Sequence, residues 1–270
     1  MNQLKQRYGQ WALVTGGTSG IGAAIAQKLA AQGLHLVLVA RDAAKLDQQA
    51  HALARQHGVQ VRPVSADLTT TEGLEWVLQA TEGLEVGLLV PCAAIENQGY
   101  FVRNTLAADH AMVQMNVVAP MRLAKHYGAA MALRGRGAIL FVSSLSGWMP
   151  QPYMAHYGAS KAYIMGLAAG LHFEMKDLGV DVSVLSPGPT DTPMAAATGI
   201  DFAAMGMSVM QPADVAACGL HALGRRLDAV PGPRNKLMAF MMARLLPRSL
   251  AGRMFKMMMG KALNMPPASH

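Results

Sequence analysis

Two cysteines, Cys92 and Cys218, are the only thiols in 270 residues, too few for a disulfide framework and suited to a reducing compartment. Although 52% of the residues are hydrophobic, no run approaches the roughly 20 apolar residues of a membrane-spanning helix. The opening MNQLKQRYGQ lacks an apolar signal segment. Together these absences make the cytoplasm the expected location. Acidic residues are missing from 229–270, where Arg234, Lys236, Arg244, Arg248, Arg253, Lys256 and Lys261 are all basic. The net charge is +7, so those residues account for all of it and the first 228 are neutral on balance. Aromatics in that tail are limited to Phe240 and Phe255, no stacking platform for bases, so a nucleic-acid partner is not expected. No metal site is expected either.

What is present is an alternation of short apolar runs and helical periodicities. WALVTG, LHLVLVA (34–40), VQVRPVSAD, VGLLV (86–90), GAILFVSS and VDVSVLS read as six buried strands. Between them lie helix patterns near 20–32, through Leu46, Ala50 and Leu53, and over 109–133 and 153–178. Continuous apolar strands separated by helices predict an α/β, doubly wound parallel sheet, Rossmann-like, as a single domain. That domain is expected over 1–228, with a helical, basic, amphipathic extension over 229–270.

Two constellations carry chemistry. Gly16-x-x-x-Gly20-x-Gly22 follows the first strand and opens a helix, a setting that turns backbone N–H groups and a helix N-terminus toward a pyrophosphate. Tyr157 and Lys161, four residues apart in a helical stretch, share one face. An ammonium beside a phenol favours phenolate, which predicts a tyrosine pKa below its usual ~10. Such a tyrosine exchanges a proton with a carbonyl or carbinol oxygen, to which Ser144 can donate a hydrogen bond. His156 adjoins the tyrosine but points about 100° away on a helix, a neighbour rather than a second base. Arg41 stands where the second strand ends, a place from which a guanidinium can fork onto a ribose 2′-phosphate. Asp42 after it is read as a helix cap.

In order along the chain, Thr15-Gly16-Gly17-Thr18-Ser19-Gly20-Ile21-Gly22, Asp67-Leu68, Asn116 in MNVVAP, Ser144, Tyr157-Gly158-Ala159-Ser160-Lys161 and Pro187-Gly188-Pro189-Thr190-Asp191-Thr192 resemble the short-chain dehydrogenase/reductase family over roughly 10–228. The resemblance implies a catalytic tetrad. Tyr157 would be the acid/base and Ser144 would polarise the substrate oxygen. Lys161 would lower the tyrosine pKa and bind the nicotinamide ribose, and Asn116 would hold a water linking Lys161 to solvent. It also implies cofactor contacts from Gly16, Thr18, Ser19, Gly20, Ile21, Gly22, Arg41, Asp67, Leu68, Ala93, Tyr157, Lys161, Pro187, Gly188, Thr190 and Thr192. Asp67 also reads as a plain turn aspartate, Asn116 as a buried asparagine bonding backbone, and Ser143 is a rival for Ser144. The implied cofactor is NADP(H), with NAD(H) as the lesser choice, and the implied assembly is a homodimer or homotetramer through the two long helices.

One departure stands out. The family's usual Asn-Asn-Ala-Gly after strand four is Pro91-Cys92-Ala93-Ala94 here. Pro91 lacks a donor, so a hydrogen bond must be lost or rerouted, and a positive φ at Ala94 would be strained. Cys92 reads as a small buried residue. The apolar loop from Thr192 to Met210, bearing Met194, Met205, Met207 and Met210, suits a hydrophobic substrate. In the tail, two amphipathic helices broken at Pro247 are expected to turn methionines inward and cations outward. Lid, subunit interface and peripheral membrane-surface contact all remain open for them. The expected function is a reversible NADP(H)-dependent oxidoreductase acting on a hydrophobic ketone or secondary alcohol, acyl-chain or steroid-like. The alternative is a nucleotide-binding sensor or scaffold with low turnover.

Overall fold

The structure is a computed structural model that describes residues 3–202 and 207–263. Seven parallel strands are ordered β3-β2-β1-β4-β5-β6-β7. In chain order the elements are α1 (Gln3–Tyr8), β1 (Trp11–Thr15), α2 (Gly20–Ala31), β2 (His35–Ala40), α3 (Ala43–His57), β3 (Val61–Ser65), α4 (Thr71–Ala80) and β4 (Val86–Pro91). Next come α5 (Leu106–Val113), a π-helical turn (Gln114–Val118), α6 (Ala119–Arg134), β5 (Gly137–Val142), α7 (Ala155–Glu174) and β6 (Val180–Leu185). The chain continues through α8 (Pro193–Ala197), α9 (Pro212–Ala222), β7 (Asp228–Ala229), α10 (Pro233–Phe240), a second π turn (Met241–Leu245) and α11 (Arg248–Ala262).

The strand alternation divides the core between the two faces of the sheet. Val14, Leu36, Leu38, Leu88, Val90 and Leu140 pack toward α2 and α9 on one side. Leu13, Val37, Val39, Leu89, Ile139 and Phe141 pack toward α4, α6 and α7 on the other. Both faces being covered explains why β4 and β5 are buried at every position. Pro63 is tolerated because β3 lies at the sheet edge. The strand order reverses between β1 and β4, which opens a crevice at their C-terminal ends.

The six anticipated strands and the helices between them are present. The two-residue β7, too short to show a period, was not legible in the sequence. The tail forms two helices that meet at Leu246-Pro247, and its seven cations are exposed. Its methionines divide: Met259 is buried and Met258 half-buried, whereas Met241, Met254 and Met257 stay exposed. A helix lying on a domain surface buries one stripe, here Ala251, Phe255 and Met259. The expectation that the methionines all turn inward is corrected accordingly.

Candidate active site

A cavity of about 840 Å³ occupies the crevice. At one end it is lined by the glycine turn and the start of α2, at the other by Phe202, Phe255, Met258 and Met259. Gly16 (φ 69°) and Gly20 (φ 53°) need the left-handed backbone, and the Gly16 N–H is tied to Val39 O at 2.8 Å. Gly22 is required by packing, since a Cβ there would stand 2.2 Å from Gly16 O. Ser19 caps α2 without a side-chain hydrogen bond, so the first turn of a 12-residue helix reaches the cavity with its N–H groups uncapped by a side chain. Uncapped N–H groups at a helix start, pressed against the glycine turn, fit a dinucleotide pyrophosphate.

Arg41 and Lys45 line the rim of this end, and Ala66 and Leu68 lie beside them. Asp42 caps α3 by accepting from Lys45 N at 3.1 Å, the role anticipated for it. Asp67 does not line the cavity. Its carboxylate accepts from Thr69 N (2.9 Å) and Thr69 Oγ1 (2.8 Å), which lowers its pKa and makes it a turn-former. Pro187, Gly188, Thr190 and Thr192 complete the lining, and Thr192 also caps α8 through Ala195 N (3.2 Å).

The substituted loop after β4 is accommodated. Pro91 sits opposite Thr15 in the sheet, and Thr15 Oγ1 accepts from both Cys92 N and Ala93 N at 3.0 Å. The hydrogen bonding is rerouted through a side chain. Among the described residues Tyr153 is the only non-glycine with positive φ, so Ala94 carries none of the anticipated strain. Burial pushes the Cys92 thiol up to about 11, so it is a protonated packing group.

Ser144, Tyr157 and Lys161 meet in the cavity. Ser144 follows β5, accepts from Ser146 N at 3.1 Å and is hydrogen-bonded to Tyr157. Ser143 Oγ donates to Lys161 O (2.8 Å) and ties β5 to α7. Lys161 Nζ donates to Val142 O at 3.2 Å and stands 5.6 Å from the Tyr157 ring centroid. His156 faces Asp109 (3.4 Å) and Phe101, away from the cavity.

The anticipated low tyrosine pKa is not what this environment produces. Burial raises the Tyr157 pKa well above its ordinary value and the Glu96 carboxylate adds to that, while the hydrogen bond with Ser144 opposes. Lys161, itself cut off from water, is lowered to about 8 by burial, against the pull of Cys92 and Glu96. Desolvation is the largest influence on both groups. Glu96 also lines the cavity, and burial raises its pKa. No motif drew attention to it; an acidic residue five positions past a buried strand was the available signal.

Asn116 lies in the π turn, 2% exposed and outside the cavity lining. Its Oδ1 accepts from Ile95 N (2.8 Å), and its Nδ2 donates to Ile95 O (2.8 Å) and Ser160 Oγ (3.1 Å). In the loop before α9, Met194 and Met207 line the cavity, Met210 packs beside Gly232, and Met205 lies outside the described residues. Among the described residues no cluster of His, Cys, Asp or Glu could hold a metal ion, and no helix is long and apolar enough to cross a membrane.

Residues 10–201 match the short chain dehydrogenase family. The 7beta-hydroxysteroid dehydrogenase of Collinsella aerofaciens is 33% identical over 237 residues, 86% of this chain and 90% of that protein. A solved structure described for 7beta-hydroxysteroid dehydrogenase stereoselectivity superposes with TM-score 0.88 at 31% identity, covering 94% of this chain and 99% of the other. A short-chain dehydrogenase from Sphingobium yanoikuyae in complex with NADPH gives TM-score 0.77 at 30% identity, with 97% and 98% coverage. With the glycine turn, Ser144, Tyr157 and Lys161 gathered on a doubly wound sheet, this chain belongs to the short-chain dehydrogenase family and is an oxidoreductase acting on CH–OH donors, interconverting a ketone and an alcohol.

Proposed function

We propose that the protein is an NADP(H)-dependent oxidoreductase of hydrophobic, steroid-like or acyl-chain ketones and secondary alcohols. The observation that carries this reading is the cavity itself, which joins a phosphate-binding glycine turn to Tyr157 and ends in phenylalanine and methionine. Gly16, Thr18, Ser19, Gly20, Ile21 and Gly22 would hold the pyrophosphate, and Arg41 the 2′-phosphate. Leu68 and Ala93 would flank the adenosine and nicotinamide halves, and Pro187, Gly188, Thr190 and Thr192 the nicotinamide end. Bound there, the nicotinamide supplies or accepts the hydride. The NADPH complex of the Sphingobium relative supports the cofactor assignment.

Tyr157 acts as acid in reduction. With its pKa raised it is fully protonated near neutrality and gives its proton to the oxygen that becomes the alcohol. Ser144, hydrogen-bonded to Tyr157 in the unliganded site, would turn its hydroxyl hydrogen to the same oxygen and hold it in place. Lys161 holds the ribose and, positive below about pH 8, favours the phenolate that Tyr157 leaves behind. Asn116, its amide spent on Ile95 and Ser160, is a positioning residue that fixes the loop after β4 against α7. In this reading a water relay would not run through that amide, and Asp67 supports its turn rather than touching adenine.

In this proposal residues 1–228 form the catalytic domain, and the tail is a lid whose inner stripe, Phe255, Met258 and Met259, closes the substrate end. Its outer face leaves Leu250, Met254 and Met257 exposed beside Arg253, Lys256 and Lys261, a pattern suited to an anionic bilayer surface. Pelleting with anionic but not neutral vesicles, lost on deletion of 236–270, would establish peripheral contact. Assembly as a homodimer or homotetramer is assigned to the long helices, where Tyr163 and Phe173 are exposed.

NADPH oxidation against oxo-steroids and 3-ketoacyl thioesters tests the reading. Turnover by wild type, falling at least about 1000-fold in Tyr157→Phe with NADPH affinity intact, is expected. Tight NADPH binding by both proteins with no turnover would favour the nucleotide-sensor alternative.

A further inference from the structure

A buried amide in the substrate end of the cavity has no partner. Gln151 lies between Ser144 and α7, is 6% exposed, and lines the cavity among Met149, Met154 and Phe255. Its Oε1 is fully buried with no hydrogen-bond partner. Of the five such side-chain atoms among the described residues, this is the only one that belongs to a residue lining the catalytic cavity. An orphaned buried acceptor is destabilising, and a methionine, like its neighbours, would fill similar volume without that cost.

The turn that presents Gln151 is held rigidly. Its side chain packs on Gly158, next to the catalytic tyrosine, where a Cβ would meet Gln151 Cγ at 2.8 Å. Gln151 O accepts from Met154 N at 3.0 Å. Two residues on, Tyr153 adopts φ 69°, the single left-handed non-glycine among the described residues. A tyrosine stays in that region only where its surroundings impose it, and such strain gathers at ligand sites. Here Tyr153 O accepts from Gly99 N (2.8 Å), its ring meets Tyr100 edge-on at 5.4 Å, and α11 passes close enough that a Cβ on Gly260 would lie 3.6 Å from it. Loop, turn and lid helix thus converge on the segment that carries the orphan amide.

We infer that Gln151 is a specificity residue that binds a hydroxyl group of the substrate, distinct from the reacting oxygen, so that the preferred substrate is a hydrophobic hydroxy-ketone or its diol. A hydroxyl donates to Oε1 and accepts from Nε2, so it fits the amide in either orientation. Glu96, another polar side chain of the cavity, already accepts from Gln98 Nε2 at 3.4 Å and leaves the orphan unanswered. This inference rests on the ketone-reductase reading above.

The test compares wild type with Gln151→Met on pairs of oxo-steroids that differ by one hydroxyl, with that hydroxyl moved around the ring system. For the best hydroxylated member, kcat/KM is expected to fall about tenfold or more in the variant, because a buried hydroxyl loses its partner. Its deoxy counterpart should change less than about threefold, and Gln151→Glu, which keeps an acceptor, should retain the preference. The unliganded Gln151→Met protein should melt higher than wild type. Equal loss on both members of every pair, or no loss on either, overturns the hydroxyl assignment while leaving the reductase reading intact. No wild-type turnover on any oxo-steroid or ketoacyl thioester overturns the reductase reading, and the inference with it.

Discussion

Replacing Arg41 by serine should weaken NADPH binding about 30-fold and leave NADH within about twofold. Arg41 closes the C-terminal edge of β2, lines the cavity rim, and has its carbonyl pinned by Ser65 Oγ at 3.1 Å, so the backbone there is fixed, while the guanidinium lies near enough to the Asp67 carboxylate to lower its pKa. A hydrogen bond to a charged group contributes about 1.5–3 kcal/mol. Because the side chain is exposed, the lower half of that range applies. About 2 kcal/mol corresponds to a factor near 30 in Kd. Lys45 also lines the rim but stands 3.4 Å from Asp42 and is half-committed to it, so it compensates only in part. Arg41→Ser with Lys45→Ser should therefore lose more than either alone, and the NADPH preference should shrink as salt rises from low to about molar concentration. Titration of protein fluorescence or calorimetry with both cofactors reads these changes. Equal losses for NADPH and NADH would show that Arg41 does not read the 2′-phosphate, and the cofactor assignment would fall with it.

Gly22→Ala places a Cβ 2.2 Å from the Gly16 carbonyl, where no flexible side chain can yield, so the turn must open. Dinucleotide affinity should fall at least tenfold with about 2 kcal/mol of stability lost, whereas Gly166→Ala in α7, with open space around its Cβ, should bind normally. A Gly22→Ala protein indistinguishable from wild type in calorimetry and melting would refute the close-packing argument. Lys161, lowered by burial to about 8 from 10.5, makes the unfolded chain bind more protons than the folded one between those values. Folding stability from this group therefore rises with pH from 8 toward 10, by about 2 kcal/mol over 1.5 units, and the buried ammonium costs most below pH 8. Denaturant unfolding of wild type minus Lys161→Met should show that rise; a flat difference would mean the lysine is not desolvated. Phe255→Ala should raise KM for bulky ketones about tenfold while NADPH affinity stays constant, and a parallel loss of cofactor binding would count against the lid.

Strands and helices were legible because burial on both faces forces continuous apolar runs, as in LHLVLVA, and because glycines at a strand–helix junction have few other uses. Leu46, Ala50 and Leu53, read as one apolar stripe, are the buried residues of α3. Asp42 as a cap followed from position alone. Short elements without a period escaped, β7 above all. A turn role for Asp67 and a backbone-bonding role for Asn116 were among the readings the sequence left open, but the sequence did not name the partners of Asn116, because a residue's neighbours in space are not its neighbours in the chain. Asn116 is committed to Ile95 and Ser160, 21 and 44 positions away.

Local chemistry in the sequence determined the architecture, the turn that receives a dinucleotide and the pairing of Tyr157 with Lys161, since each depends on spacing within one or two elements. Only the tertiary structure decided the electrostatics. Folding removes both groups from water, raising the Tyr157 pKa and lowering that of Lys161, where one helical turn alone suggested the opposite for the phenol. The tertiary structure likewise decided the apolar end of the cavity, which brings Gln151 and Phe202 together with the tail's Phe255. Desolvation and cavity walls come from chain segments a hundred residues apart, and no local pattern encodes their meeting.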